Sequence, residues 1–193
     1  VLISASFSNK TEVGKDFTQP GIDEKLDSIV PGDIILTDEA GDTLNFKELL
    51  NDKPVILNLI YYTCPGICSP LVNGMIHTME SMDMMPGKDY HIITVSFDPS
   101  EGAALAAEKK AAYFAQMERY TLQQNDWRFL TGDSIQIKRL LDATGFITMK
   151  EGTEFAHPGA LITLGPDGKI CRYLYGTSFL PFDLKMALYE AGL

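Results

Sequence analysis

Residues 55–62 form a run of eight in which Asn58 is the one polar interruption, and Thr63 then leads into Cys64-Pro65-Gly66-Ile67-Cys68. A short apolar run bounded by Lys53-Pro54 before it and Pro65-Gly66 after it reads as a strand covered on both faces. Strands of that kind belong to sheets flanked by helices, and sites in such folds gather at the strands' carboxyl ends. The run therefore sets two thiols at the end of a buried strand and the mouth of a helix, and function is sought there.

The rest of the chain agrees with a layered α/β arrangement. Residues 33–37 and 43–46 flank the turn-rich Asp38-Glu39-Ala40-Gly41-Asp42 as a hairpin, followed by a short helical turn over 46–50. Pro65 opens a helix running to about residue 83, residues 90–97 read as the next strand, and residues 101–122 as a long Ala-rich helix. A strand over 127–130, a helix over 133–144 ending at Gly145, and a loop through His157-Pro158-Gly159 come next. Strands over 160–164 and 169–175 flank the turn Gly165-Pro166-Asp167-Gly168, and a last helix covers 182–191. Alternating strands and helices closed by a hairpin predict a mixed sheet with helices on both faces.

A chain of 193 residues is long enough for one substantial core. Residues 1–20 are polar and weakly periodic and are expected to form an extended arm, with residues 21–193 as a single domain. No apolar run approaches the roughly 20 residues that span a bilayer. The start at Val1 suggests trimming, so a signal peptide or membrane tether is expected upstream. A net charge of −10 disfavours nucleic acid and anionic membranes, which attract clustered Lys and Arg, and favours a basic partner surface.

Three cysteines are too few for a disulfide scaffold, and their odd number leaves one without an intramolecular partner. Cys171 alternates along a strand and is expected to be buried and inert. Cys64 and Cys68 are a different case: residues four apart in a helix share a face, so the pair can close a disulfide or hold one metal ion. Pro65 suits a first helical position, which puts Cys64 near the N-cap, where unpaired backbone donors favour thiolate. Thiolate is both the nucleophile of a redox pair and a soft metal ligand.

Two thiolates do not complete a copper or zinc site, so a neutral imidazole is sought. Among the three histidines, His77 lies more than two turns beyond Cys68 and is expected to face solvent, and His91 opens a strand at the end opposite a carboxyl-end site. His157 sits before a strand in a turn shaped by Pro158-Gly159, free to swing without disturbing a core, and the cysteine pair raises it to a candidate ligand. Met75, Met79 and Met82 recur at helical spacing and read as a core-facing stripe rather than thioether ligands. Tyr61 and Tyr62 are either strand residues or the aromatic wall of the site.

Four stretches together resemble the Sco/SenC proteins: Cys64-Pro65-Gly66-Ile67-Cys68; Val95-Ser96-Phe97-Asp98-Pro99; Phe129-Leu130-Thr131-Gly132; and His157 ahead of Gly165-Pro166-Asp167-Gly168-Lys169. They occur in the family's order and cover about residues 21–192. The resemblance implies a thioredoxin-like fold with an inserted hairpin, and copper, Cu(I) or Cu(II), bound by Cys64, Cys68 and His157. It also implies a metallochaperone role in maturing the dinuclear copper centre of cytochrome c oxidase. The implied partner is the copper-bearing subunit of that oxidase or another copper chaperone. The implied location is extracytoplasmic, on the periplasmic side of the membrane or its equivalent, with a membrane anchor. Where many members carry an acidic residue before the histidine, this chain has Ala156, and Pro158 follows, so a stiffer histidine loop is expected.

A rival reading uses the same Cys64 and Cys68 as a catalytic redox pair in a thiol-disulfide oxidoreductase that reduces partner cysteines or senses redox state, with no need of His157. A peroxidase fits less well, since a peroxiredoxin-like site places Thr three residues before the nucleophile, where this chain has Tyr61. A pure interaction domain with an inert disulfide is the third class.

Overall fold

The computed structural model describes residues 19–50 and 52–192. The arm expected over residues 1–20 lies outside the described residues up to position 18. Three parallel strands form the centre of the fold: Val55–Ile60, His91–Ser96 and Trp127–Thr131. Every residue of the first two is buried, as continuous runs of β-branched and aliphatic residues require.

In chain order the strands are Gly21–Ile22 (β1), Ile35–Asp38 (β2), Thr43–Asn45 (β3), Val55–Ile60 (β4), His91–Ser96 (β5), Trp127–Thr131 (β6), Phe146–Ile147 (β7), Met149–Glu151 (β8), Glu154–Ala156 (β9), Ala160–Leu164 (β10) and Ile170–Tyr175 (β11). The helices are Cys68–Ser81 (α1), Ala103–Phe114 (α2), Ser134–Thr144 (α3) and Pro181–Glu190 (α4), with a short 3-10 turn at Phe46–Leu49. Seven strands make one mixed sheet in the order β11-β10-β4-β5-β6-β2-β3, and β1 pairs with β7 while β8 pairs with β9.

Side-chain alternation along β5 sorts the helices onto the two faces. Thr94 accepts the indole N–H of Trp127 at 2.8 Å, and Trp127 stacks on Tyr113 of α2. The opposite face carries Phe97, just past β5, which meets Phe146 of β7, two residues beyond α3, with ring centroids 6.0 Å apart. Helix α4 packs on α1. The mixed sheet with helices on both faces stands as expected.

Three local differences from the sequence reading have physical causes. Helix α1 starts at Cys68, not Pro65, because residues 61–67 turn tightly first, with the Cys64 N–H donating to the Tyr61 carbonyl at 3.2 Å. Helix α2 ends at Phe114 rather than near residue 122. There the chain is drawn across to α1, where Arg119 donates to the carbonyls of Glu80 and Met82 at 2.9 and 2.6 Å and so satisfies that helix's terminal acceptors. The expected loop before His157 contains the hairpin β8–β9, whose strands are three residues each with none fully buried, so they carry little apolar alternation to read.

Both ends of α3 follow their capping chemistry closely. Asp133 accepts the N–H groups of Ile135 and Gln136 at 2.8 and 2.9 Å, and Gly145 closes the helix at φ 62°. A Cβ at Gly145 would stand 1.9 Å from the Asp23 carbonyl oxygen, so this position needs glycine for space as well as for conformation.

Candidate metal centre

Strand β4 delivers the first thiol. Its ladder ends at Ile60, and the next residues leave the sheet carrying Tyr61 toward the α3 face and Tyr62 toward the α2 face, where the Tyr62 hydroxyl donates to the Leu130 carbonyl at 2.8 Å. Cys64 then lies half-buried on the turn, while Cys68 is buried as the first residue of α1. The pair does not share a helical face, since Cys64 precedes the helix; the turn brings the sulfurs together instead.

His157 follows β9 directly, so the hairpin carries it over the end of the sheet. Its Nε2 lies 3.8 Å from the Cys64 sulfur and 3.3 Å from that of Cys68. All three donor atoms fall within 4.8 Å of one another. The ring is held edge-on by Tyr61 and Phe97, with centroids 5.7 and 5.1 Å away, and Phe155 closes on both of those rings. The expected free swing is therefore restrained by an aromatic box and by the hairpin.

The tautomer is set by a neighbour. Nδ1 stands 3.0 Å from the Pro158 carbonyl oxygen, which only accepts, so Nδ1 carries the proton and Nε2 presents its lone pair to the sulfurs. Burial lowers the His157 pKa and keeps the ring neutral, against a smaller opposing effect of that same Pro158 bond. A neutral imidazole anchored through its other nitrogen is the form that ligates metals.

The two thiols differ. Desolvation pushes Cys64 up, but the backbone N–H groups of Cys68 and Gly66 and the side chains of Cys68 and Tyr61 outweigh it, leaving Cys64 below the ordinary thiol value. Cys68 is driven well above that value by burial, with the Cys64 sulfur and the Glu101 carboxylate adding to the rise. The Tyr61 hydroxyl, desolvated and bonded to Cys64, is pushed up to about 12 and stays protonated as a donor.

This donor set fits a thiophilic cation. Thiolate and imidazole ligands bound at about 2.3 and 2.0 Å around a trigonal ion stand roughly 3.8 Å apart, close to the sulfur–nitrogen separations of 3.8 and 3.3 Å. Two soft sulfurs with one borderline nitrogen suit copper or zinc and not the oxygen-seeking cations. A cleft of about 360 Å³ opens onto the site, lined by Tyr61, Cys64, Ile67, Phe155 and His157 among others.

Glu101, absent from every motif considered above, is buried beside this loop. Its carboxylate accepts the backbone N–H groups of Tyr62 and Thr63 at 2.6 and 2.8 Å, the Thr63 hydroxyl at 2.7 Å and the Ser96 hydroxyl at 2.5 Å. The Thr63 hydroxyl is thereby committed to Glu101. No sequence pattern flags a residue whose partners are two backbone amides and a hydroxyl of a distant turn and one hydroxyl of β5.

The remaining candidates fall elsewhere. His77 is exposed on α1, and His91 opens β5 at the far end of a six-residue strand, roughly 15–20 Å from the thiols. Met75, Met79 and Met82 are buried in the core. Cys171 is half-buried rather than buried, and donates to the Lys169 carbonyl at 3.3 Å.

A mixed sheet in this order, with a dithiol turn at the end of one of its three central strands and an imidazole brought over it, defines a thioredoxin-like protein carrying a metal-competent dithiol. A sequence profile of the SCO1/SenC family matches residues 23–180. The chain belongs to the SCO1/SenC family. It is 27% identical over 140 residues to the SCO1 protein homolog of Bacillus subtilis strain 168, covering 70% of this chain and 69% of that one. A protein of Aquifex aeolicus VF5, described as a candidate electron transfer protein, is 30% identical, with a TM-score of 0.77 over 86% of this chain and 94% of that one. Arabidopsis thaliana ScoI, solved with copper bound, shares the fold at 19% identity, with a TM-score of 0.66 over 83% of this chain and 97% of that one.

Proposed function

We propose that this protein is a copper-binding metallochaperone that takes up Cu(I) or Cu(II) through Cys64, Cys68 and His157 and assists assembly of the dinuclear copper centre of cytochrome c oxidase. The observation that carries the reading is the convergence of two sulfurs on the unprotonated nitrogen of His157, with its other nitrogen anchored on Pro158. Soft sulfurs favour Cu(I), and imidazole serves either oxidation state. Membership in the SCO1/SenC family and the copper held by the Arabidopsis relative favour copper over zinc.

In this reading Tyr61 donates to the Cys64 sulfur, the aromatic box fixes the ring plane of His157, and the cleft beside Cys64 and Ile67 admits the cargo. Cys64, half-exposed, is the donor an acceptor protein reaches first, and Cys68 is the buried one that holds on longest. The acceptor is the copper-bearing subunit of the oxidase or another copper chaperone. Residues 21–193 act as one domain on the extracytoplasmic side of the membrane, held there by an N-terminal tether. The test is titration of the reduced protein with Cu(I) and Cu(II), repeated with Cys68→Ser and His157→Ala. One equivalent bound by the parent and lost by both variants is expected; stoichiometric uptake unchanged in both overturns the reading.

A second reading rests on the unequal thiols. A thiolate-favouring, accessible Cys64 next to a buried, protonated Cys68 is the division of labour of a thiol-disulfide reductase. Cys64 thiolate would attack a partner's disulfide, forming a mixed disulfide and releasing one partner thiolate. Cys68 would then attack the Cys64 sulfur, releasing the second thiolate and leaving the protein's own disulfide. His157→Ala separates the two readings, since reduction of a partner disulfide survives it and copper retention does not.

A further inference from the structure

The ladder between β4 and β5 pairs Ile60 with Ser96 and goes no further, except that the Phe97 N–H reaches back to the Ile60 carbonyl at 2.8 Å. Beyond that point the backbone N–H groups of Tyr62 and Thr63 have no strand to pair with. Tyr62 is buried, and an unpaired buried amide is costly; Thr63 is exposed, but its N–H lies in a part-buried bond to Glu101. Glu101 meets this need. It lies two residues before α2 begins, and its two carboxylate oxygens divide the work: Oε1 takes the Thr63 N–H and hydroxyl, and Oε2 takes the Tyr62 N–H and the Ser96 hydroxyl. Four donors converge on one acceptor group, and among the described residues no Lys or Arg pairs with it.

The residue after this clamp is Cys64. We propose that Glu101 is the positioning residue of the dithiol: by continuing the hydrogen bonding of β4 past its end, it dictates the path that brings the Cys64 sulfur to Cys68 and His157. Ser96 ties the carboxylate to β5, so the turn is referenced to the rigid centre of the sheet rather than to its own backbone. Cys68 and His157 are held by other elements, α1 and the β8–β9 hairpin. Loss of Glu101 therefore loosens one of the three donors and leaves the other two in place.

The consequence is an effective concentration. Cys64 held on a fixed path meets Cys68 more often than Cys64 on a loose turn, and this favours both the disulfide and chelation. The thiol consequence stands by itself, whereas the metal consequence rests on the copper reading above.

The experiment compares the parent with Glu101→Gln, which puts an amide donor among four donors, and with Thr63→Val, which removes a single bond. Copper-free protein is equilibrated with glutathione buffers, in which the dithiol and oxidised glutathione exchange for the protein disulfide and two reduced glutathiones. Cu(I) affinity is measured by competition with a chromophoric chelator. Glu101→Gln is expected to lower the disulfide equilibrium constant by about 3- to 10-fold and Cu(I) affinity by about 10- to 100-fold, with Thr63→Val shifting both in the same direction by less. A purely structural role moves the thermal midpoint and leaves both readouts unchanged, and that result in a folded Glu101→Gln overturns the proposal. Should Glu101→Gln not fold, Thr63→Val decides: an unchanged glutathione equilibrium in that variant overturns it. Failure of the parent to take copper sinks the metallochaperone reading alone, because the glutathione equilibrium still tests Glu101.

Discussion

His157 and Pro158 are adjacent in sequence, yet the imidazole Nδ1 of one reaches the carbonyl oxygen of the other at 3.0 Å, so the ring is turned with Nε2 toward Cys64 and Cys68. A ligand oriented by its own neighbour needs no distant partner to choose its tautomer. Replacing His157 by Ala removes a donor outright, and Cu(I) affinity is expected to fall by more than the roughly 10- to 100-fold that loss of an outer-shell partner costs. Competition titration checks this; an affinity within threefold of the parent contradicts the assignment.

Acid should act on the same ring. The folded-state pKa of His157 is depressed by burial, so between the unfolded value of about 6.5 and the lower folded value the unfolded chain binds more protons. The contribution of the buried neutral ring is present above about pH 6.5 and is lost as pH falls toward the folded pKa. His91 is depressed in the same sense, by desolvation and then by Lys53, so the comparison must be with a variant. Thermal midpoints of the reduced, copper-free parent should drop more steeply from pH 7 to pH 5 than those of His157→Gln. Parallel curves would contradict this.

Unequal thiols predict ordered modification. In the native reduced protein iodoacetamide should label Cys64 first, at a pH below that required by a cysteine in the denatured chain, while Cys68 stays unmodified at neutral pH. Peptide mapping by mass spectrometry gives the order, and equal rates at both sites would refute it.

Helix α1 rests closely against the segment that leads into α4 at Gly74, one turn before Thr78 donates to the Phe179 carbonyl at 3.0 Å. A Cβ at Gly74 would stand 1.9 Å from the Thr177 carbonyl oxygen. Gly74→Ala should raise helix propensity by up to about 1 kcal/mol, yet the clash with backbone should dominate and destabilise the protein by about 1–3 kcal/mol. Denaturant unfolding measures the sign, and a stabilised variant would show that the contact yields.

The residues that build the sheet were legible because their signal is local: continuous burial in β4 and β5, Asp133 and Gly145 bounding α3, and Gly165-Pro166-Asp167-Gly168 turning β10 into β11. Cys64 and Cys68 announced themselves by spacing, and His157 by elimination and by the family's motif order. What stayed hidden depends on tertiary contact. Arg119 shortens α2 by reaching α1, the β8–β9 hairpin has strands too short for the packing of Phe155 to register as alternation, and Glu101 acts on backbone amides nearly forty positions away. Cys171 escaped for a related reason, since alternation along β11 does not say which of its faces is covered.

Cys68 and His157 stand 89 positions apart and travel on separate elements, a helix and a hairpin, that meet only over the finished sheet. A nascent or partly collapsed chain can offer an ion nothing more than two neighbouring sulfurs. If the proposed site holds copper, loading is thus reserved for molecules that have completed their fold, and the third donor doubles as an inspection step that a truncated or misassembled copy cannot pass.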